Sequence, residues 1–501
     1  MNKLARIVVA LAALTLALHL YAGRHYGFFV DELYYLACSQ HLAWGYVDQA
    51  PLIAIVTKTA RVLLGDSLGA IRFFPALAGA GQVLLAGMIA RELGGGRFAQ
   101  GLAALCTLLA PGFLALDNLL TMNAFEPLFW MGCAYLVIRI IRTGDDRLWL
   151  GFGALAGLGL LNKHSMLIFG FALVAGLLVT PQRKHLASRW FWAGGGIAFA
   201  IFLPNLLWNI QHHFPFLELQ ENIRRDARNV SLSFAGFWGQ EVLSMLPLTA
   251  PIWIAGIWSL LFRRDFREFR GLGWAWLIAA ALIEVLNPRI YYLFPAFPLL
   301  FAAGGVAWER QVSRAWIRAA YVAAMVVMAA LIAPTVIPVL PPETYIRYAE
   351  ATHLQQPRVE NHELGPLPQL FADQFGWEEM TALVARAYWA LPPDVRSRTG
   401  IFGQNYGQAG AIDFFGPKYG LPRAISGHQN YFLWGPRGYT GESLIVMGDR
   451  RSRLEERFAS VELVGHAEHP YSMPYEHIDI WYCRGLKAPL AEVWPKLKNW
   501  H

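Results

Sequence analysis

Long apolar runs, divided by short polar loops, fill the first two thirds of the chain. Each is about 17–25 residues long, the length that crosses a bilayer core. They predict about eleven spanning helices, near 4–22, 69–90, 97–114, 122–141, 147–161, 164–180, 190–210, 237–262, 271–287, 290–307 and 315–336. The first follows Lys3 and Arg6 and shows no small-residue cleavage pattern before Arg24, so it reads as a retained helix. The loop 23–68 is the one long break among the early spans. It contains an apolar stretch bearing Lys58 and Arg61, expected to lie along the membrane interface. Beyond Pro341-Pro342 the pattern changes. Short apolar runs at Ser443–Gly448 and His477–Cys483 predict strands, and Glu378–Leu391 predicts an amphipathic helix. The pattern divides the chain into a membrane part, 1–339, and a soluble α/β part, 340–501.

Charge orients the spans. With the N-terminus in the cytoplasm, alternate loops carry Arg91/Arg97, Arg139/Arg142/Arg147, Arg183/Lys184/Arg189, Arg263/Arg264/Arg267/Arg270 and Arg310/Arg314/Arg318. All are basic, as cytoplasmic loops tend to be. An odd number of spans then leaves the C-terminal part outside. The opposite face collects Asp31, Glu32, Asp48, Arg72, Asp117, Glu126, Lys163, His164, His212, His213 and Arg289. The external loop with Glu221, Arg224, Arg225, Asp226 and Arg228 breaks the charge trend, as a ligand-binding loop would.

Composition agrees. The chain is 55% hydrophobic and only 15% charged, against about 25% charged in soluble domains. Its net charge of +7 comes with no Lys/Arg-rich run or zinc spacing, which argues against nucleic acid. Cys106 and Cys133 fall in apolar segments and read as small hydrophobes; pairing of Cys38 with Cys483 cannot be read from sequence. Gly403, Gly407 and Gly410 lack the spacing and acidic partner of a dinucleotide fingerprint and read as loop glycines.

The chemistry concentrates in Phe28-Phe-Val-Asp31-Glu32-Leu-Tyr-Tyr35 and Tyr46-Val-Asp48-Gln49-Ala50-Pro51. Carboxylates where a chain leaves a membrane must face water, a cation or a reacting group. A plain acidic loop, or a helix cap at Asp31, is the simpler alternative. These stretches resemble the first external loop of bacterial membrane glycosyltransferases of family 39, the dolichyl-phosphate-mannose protein mannosyltransferase-like proteins that include aminoarabinose transferases. The resemblance continues through Arg72-Phe-Phe-Pro75, Arg91-Glu-Leu-Gly-Gly-Gly-Arg97 and Leu120-Thr-Met-Asn123-Ala-Phe-Glu126-Pro127. It ends with Leu161-Asn-Lys163-His164 and Asn287-Pro-Arg289-Ile-Tyr291-Tyr292-Leu-Phe-Pro295, covering about 5–335.

The resemblance implies a GT-C fold and an inverting transfer of one sugar from a polyprenyl-phosphate carrier to a periplasmic lipid, glycan or protein. It implies a multi-pass protein of the bacterial inner membrane with the active site facing the periplasm; the resemblance does not extend to the tail, which the odd number of spans puts on the same side. Asp31 matches the acidic residue proposed as general base, with Glu32 beside it. Asp48 matches a carboxylate lying near the donor phosphate or a metal. Gln49-Ala50 departs from the basic residue and Pro that relatives often carry, and Asn123/Glu126 from an Asp before Pro.

The residue types suit that chemistry independently. A carboxylate can take the proton of an acceptor hydroxyl. Cations stabilise charge growing on a leaving phosphate. Lys163, Arg72 and Arg289 are candidates, as is a divalent ion on Asp48; the residues call for no other cofactor, and no covalent nucleophile is needed. Asp117, Asn123, Glu126, His164, Tyr291 and Tyr292 are further candidates for substrate contact. Plain readings stand beside these: Lys163 and Arg289 as interface anchors, the tyrosines as an aromatic belt, the histidines as surface groups, Asp117-Asn118 as a turn. The rival function is a transporter or flippase of a lipid-linked sugar. Transporters place broken helices and polar groups in matching halves, and no internal repeat is visible here.

Overall fold

The computed structural model describes residues 4–226, 228–286, 289–354, 356 and 360–501. Six of its helices are long and apolar enough to cross a membrane, or eight if each of two bent pairs is one span. The six are Leu68–Glu92, Met122–Thr143, Arg189–Gln211, Arg264–Leu286, Ile290–Gln311 and Ala315–Thr335. The sequence reading of eleven also counts the shorter apolar helices Arg6–Ala22, Arg97–Leu109 and Leu148–Asn162.

Two spans differ from expectation. The run 237–262 is not one helix: Phe234–Ser244 and Pro247–Phe262 meet at 93°. Leu246 there takes a positive φ of 69°, and Pro247 has no N–H to continue the ladder. The helix expected to reach residue 114 ends at Leu109, because Pro111 starts a new short helix, Pro111–Leu116.

The first loop is built, not loose. It holds helices Val30–Cys38 and Leu52–Leu64. The second exposes Ile55, Val62, Leu63 and Leu64, the apolar flank an interfacial helix needs. In the C-terminal part, β1 (Thr399–Gly403), β2 (Ile425–Ser426), β3 (Ser443–Met447), β4 (Phe458–Ala467) and β5 (Ile478–Leu486) form one sheet in the order β2-β1-β3-β5-β4. β1 pairs parallel with β2 and β3, and β5 pairs antiparallel with β3 and β4. The two runs read as strands are β3 and β5, and the expected amphipathic helix is Trp377–Trp389.

The loop and the sheet share one hydrophobic core. Leu33, Tyr34 and Leu36 pack with Ala409, Ile412, Ile445 and Ile480. The glycines after β1 permit this. A Cβ on Gly410 would sit 3.0 Å from the Leu33 carbonyl carbon and oxygen, and one on Gly407 2.5 Å from Val30 Cγ2. Neither belongs to a free loop: both lie in helix Tyr406–Phe415, pressed against Val30–Cys38. All four cysteines are buried and free, so Cys38 and Cys483 do not pair.

Candidate active site

Val30–Cys38 sets the site. Asp31 and Glu32 occupy its first turn, where the unpaired N–H groups and the helix dipole favour negative charge. Consecutive helical residues point about 100° apart, so the two carboxylates face different surroundings.

Glu32 faces inward and is fully buried. It accepts from Arg72 Nε and Nη2, both at 2.7 Å, from Leu120 N at 2.9 Å and from Phe29 N at 2.8 Å. Arg72 also donates to the carbonyls of Gly23 and Gly27 and to Gln374 Oε1. Its guanidinium is buried among these partners. Thus two expected site residues, Glu32 for the proton and Arg72 for the phosphate, are held to each other and away from any open face.

Asp31 is only partly buried. Its Oδ1 accepts from the Tyr406 hydroxyl at 2.7 Å. Tyr406 stacks on Tyr34 at 4.7 Å and on His428 at 4.9 Å. Tyr34 in turn donates to Asp48 Oδ1 at 3.0 Å. Asn430 closes the set, donating its N–H to the Tyr34 oxygen and accepting from Val47 N. Desolvation pushes the Asp31 carboxyl up, against the pull of the Tyr406 hydrogen bond and the charge of Arg289. Burial also raises Asp48 to about 7. Among the described residues no group of three or more His, Cys, Asp or Glu could hold a metal ion, so a divalent ion on Asp48 finds no ready ligand set.

Beside Asp31 lies a cluster of cations. Arg289 pairs with Glu360 and donates to Asn229 Oδ1 at 3.1 Å. Arg228 pairs with Glu360 at 3.3 Å, and His362 and Gln369 also reach that carboxylate. The charges of Arg289, Arg228 and Glu360 all bear on Asp31. Against burial, the His362 hydrogen bond, the two arginines and the Gln369 hydrogen bond together hold Glu360 well below the usual carboxylate range. Arg289's motif neighbours Asn287 and Pro288 lie outside the described residues.

Lys163 is nearly buried. It donates to Glu126 at 2.8 Å and Asn123 at 3.0 Å, and its ammonium lies 3.7 Å from the centre of the Tyr292 ring. Tyr291 stacks on Tyr292 at 5.3 Å. Ser165 donates to the other Glu126 oxygen. The histidines do not gather: His164 bonds Asn205, and His212 stacks on Trp208. Asp117 is buried elsewhere, accepting from Gln82 at 2.9 Å.

The sequence reading missed Tyr406, Asn430, Glu360 and Gln374, all from beyond residue 340. It noted Arg228 only as part of an unusual loop. The one local signal for Tyr406 was the Gly407/Gly410 pair, three apart on a helix, marking a face made for close approach.

The comparisons can now be set against this geometry. Residues 48–208 match the model of the family described as dolichyl-phosphate-mannose-protein mannosyltransferase. Lipid A galacturonosyltransferase RgtD of Rhizobium johnstonii is 29% identical over 187 residues, 37% of this chain and 39% of that protein. The matched stretch thus spans well under half the length of that relative. Crystal structures of ArnT from Cupriavidus metallidurans, bound to undecaprenyl phosphate and apo, superpose with a TM-score of 0.62. They are 18% and 17% identical, covering 95% of this chain and 97% of theirs.

Stability should depend on pH through the buried acids of the first loop and the sheet. Asp48 and Glu476 are raised to about 7 by burial. An unfolded chain releases these protons near pH 4, so it binds fewer protons than the fold between about 4 and 7. Their contribution is fully present below about pH 4 and is lost as pH rises through about 7. The melting temperature in detergent should therefore fall over that window, and Asp48→Asn should flatten the fall. An unchanged slope in Asp48→Asn would remove Asp48 from this account.

Fold and matched segment agree: the chain is a polytopic helical membrane protein with the fold of ArnT, and over residues 48–208 it is similar to the dolichyl-phosphate-mannose-protein mannosyltransferase family.

Proposed function

We propose that the protein is an inverting glycosyltransferase. It moves one sugar from a polyprenyl-phosphate donor to a hydroxyl-bearing acceptor at the outer face of the inner membrane. The observation that carries the reading is the partly open Asp31 carboxylate beside the Arg228/Arg289 cluster, on a fold shared with ArnT. The relatives, a lipid A galacturonosyltransferase and an ArnT bound to undecaprenyl phosphate, point the same way.

In a single displacement the acceptor oxygen bonds the anomeric carbon as the bond from that carbon to the phosphate oxygen breaks. The acceptor proton passes to Asp31, and the electron pair leaves with the polyprenyl phosphate. Burial raises Asp31 towards the pH at which a base works best. Arg289 and Arg228 are the cations whose charge bears on that carboxylate, and they take the phosphate. Lys163 is committed to Glu126 and fixes the Tyr291/Tyr292 pair. The chain after those tyrosines runs through Pro295 and Ala296, which with Trp130, Phe169 and Trp276 line a small apolar cavity of about 30 Å³.

Asp31→Asn keeps the size and removes the proton acceptor. It should lower transfer by about 10²–10⁴-fold while the protein inserts normally. The donor for this assay is to be purified from lipid extracts of a deletion strain, where an unused polyprenyl-phosphate sugar should accumulate. Near-normal turnover in Asp31→Asn would rule out this base.

Arg289→Ala should raise the donor KM at least as much as it lowers kcat, since the phosphate is bound before and during the reaction. Lys163→Ala should lower kcat by loosening the tyrosine pair, with less effect on KM. Wild-type kinetics in both would reduce these residues to interface anchors.

Orientation is tested by single cysteines at exposed positions. Glu468→Cys should react with an impermeant thiol reagent in spheroplasts, and Asp145→Cys only after permeabilisation, with native cysteines removed. The reverse pattern would place Asp31 on the wrong side.

A further inference from the structure

Tyr406 enters the site from the C-terminal α/β part, outside the segment matched by the family model. We infer that Tyr406 is the positioning residue for Asp31, so that the C-terminal part completes the site rather than merely accompanying it. The inference rests on the glycosyl-transfer reading only for its catalytic consequence.

The phenol donates to Asp31 Oδ1 at 2.7 Å. Among the described residues no hydrogen bond reaches Oδ2, which is left for an acceptor hydroxyl. A base held by one oxygen and free at the other is fixed in angle yet able to accept a proton. Tyr406 itself cannot swing away. Its ring is sandwiched between Tyr34 and His428, with interplanar angles of 28° and 12°. Its N–H donates to His428 Nδ1 at 3.0 Å. It begins helix Tyr406–Phe415, capped by Asn405, whose side chain accepts from Gln408 N at 2.8 Å. Asn405 and Gln408 both donate to the buried Glu476 carboxylate. The helix that carries Asp31 is tied to the same part of the chain: Val30 N donates to the Asp373 carbonyl at 3.1 Å. Both ends of the Asp31–Tyr406 bond are therefore anchored, and the bond links residues 375 positions apart.

Other charged and titratable groups also face Asp31. Tyr35 and Asp48 come from its own loop, Arg228 and Arg289 from the external turns, and Glu360 and Asp373 from the C-terminal part. Tyr406→Phe leaves all of these and both ring stacks in place and removes only the hydrogen bond. That bond favours the ionised carboxylate. Its loss should raise the Asp31 midpoint and make Asp31 a worse-placed base.

The test has two arms. The first needs no substrate: an infrared titration of the carboxyl band, taken as the difference from Asp31→Asn. In Tyr406→Phe the midpoint should lie about one pH unit higher than in wild type. The second is transfer with the polyprenyl-phosphate sugar purified from the deletion strain. There kcat should fall about tenfold, with the donor KM within about twofold and the acid limb of the pH profile moved to higher pH. An unshifted infrared midpoint overturns the inference whatever the protein's activity. A shifted midpoint with wild-type kcat also overturns it. A shifted midpoint in Tyr406→Phe, together with a wild-type protein that transfers no sugar, overturns the glycosyl-transfer reading and leaves the Tyr406–Asp31 coupling standing.

Discussion

The buried pair of Glu32 and Arg72 is the constraint on which the rest of the site depends. A carboxylate and a guanidinium removed from water need each other and further hydrogen bonds, and breaking such a pair costs about 3–5 kcal/mol. Here the bonds run to many parts of the chain. Arg72 precedes helix Phe73–Glu92 and reaches back to Gly23 and Gly27 at the end of the first helix. Glu32 reaches Leu120 before helix Met122–Thr143, and Arg72 reaches Gln374 in the C-terminal part. Four stretches of chain are thereby held at one point, the turn that carries Asp31. The pair adds no cation to the open site. Its effect is to fix where the next residue along can be.

That arrangement explains what was legible in the sequence and what was not. The importance of Asp31-Glu32 followed from two carboxylates beside a membrane segment. Their division of labour did not, because it depends on which side of the helix meets Arg72, 40 residues away. Arg72 looked like a phosphate ligand for the same reason it is buried: a guanidinium in an apolar setting must have an anion, and the sequence cannot say whether protein or substrate supplies it. Helix and strand positions were readable because period and length are local. The break at Leu246-Pro247 was readable in principle from the proline, but the apolar run across it is continuous.

The larger gap concerns the C-terminal part. Its fold class was visible in alternating strands and an amphipathic helix. Its contribution to the site was not, since Tyr406 meets Asp31 across 375 residues and no local pattern marks a phenol as a partner. Gly407 and Gly410 did carry that information in a form easily mistaken for loop flexibility. A helix with two glycines three apart can come close to another backbone, and here the approach brings the tyrosine to the acid.

Charge around Asp31 is a balance of opposed effects, and each comes from a different part of the chain. Burial favours the neutral acid, while Tyr406 and the two arginines favour the anion. Glu360 weakens the arginines' effect by neutralising part of their charge, and it is itself held ionised by the His362 hydrogen bond and by them. On the proposed reading, a donor phosphate arriving beside Arg289 and Arg228 would have to share or replace Glu360, because two guanidinium groups cannot fully serve two anions in the same place. Sharing adds negative charge near Asp31 and raises its proton affinity, which strengthens it as a base just when the acceptor hydroxyl must lose its proton. Replacement keeps the local charge closer to its starting value and leaves Asp31 as it was. In the first case donor binding and base strength are coupled through the same two arginines, so the phosphate acts on the proton transfer before it acts as a leaving group.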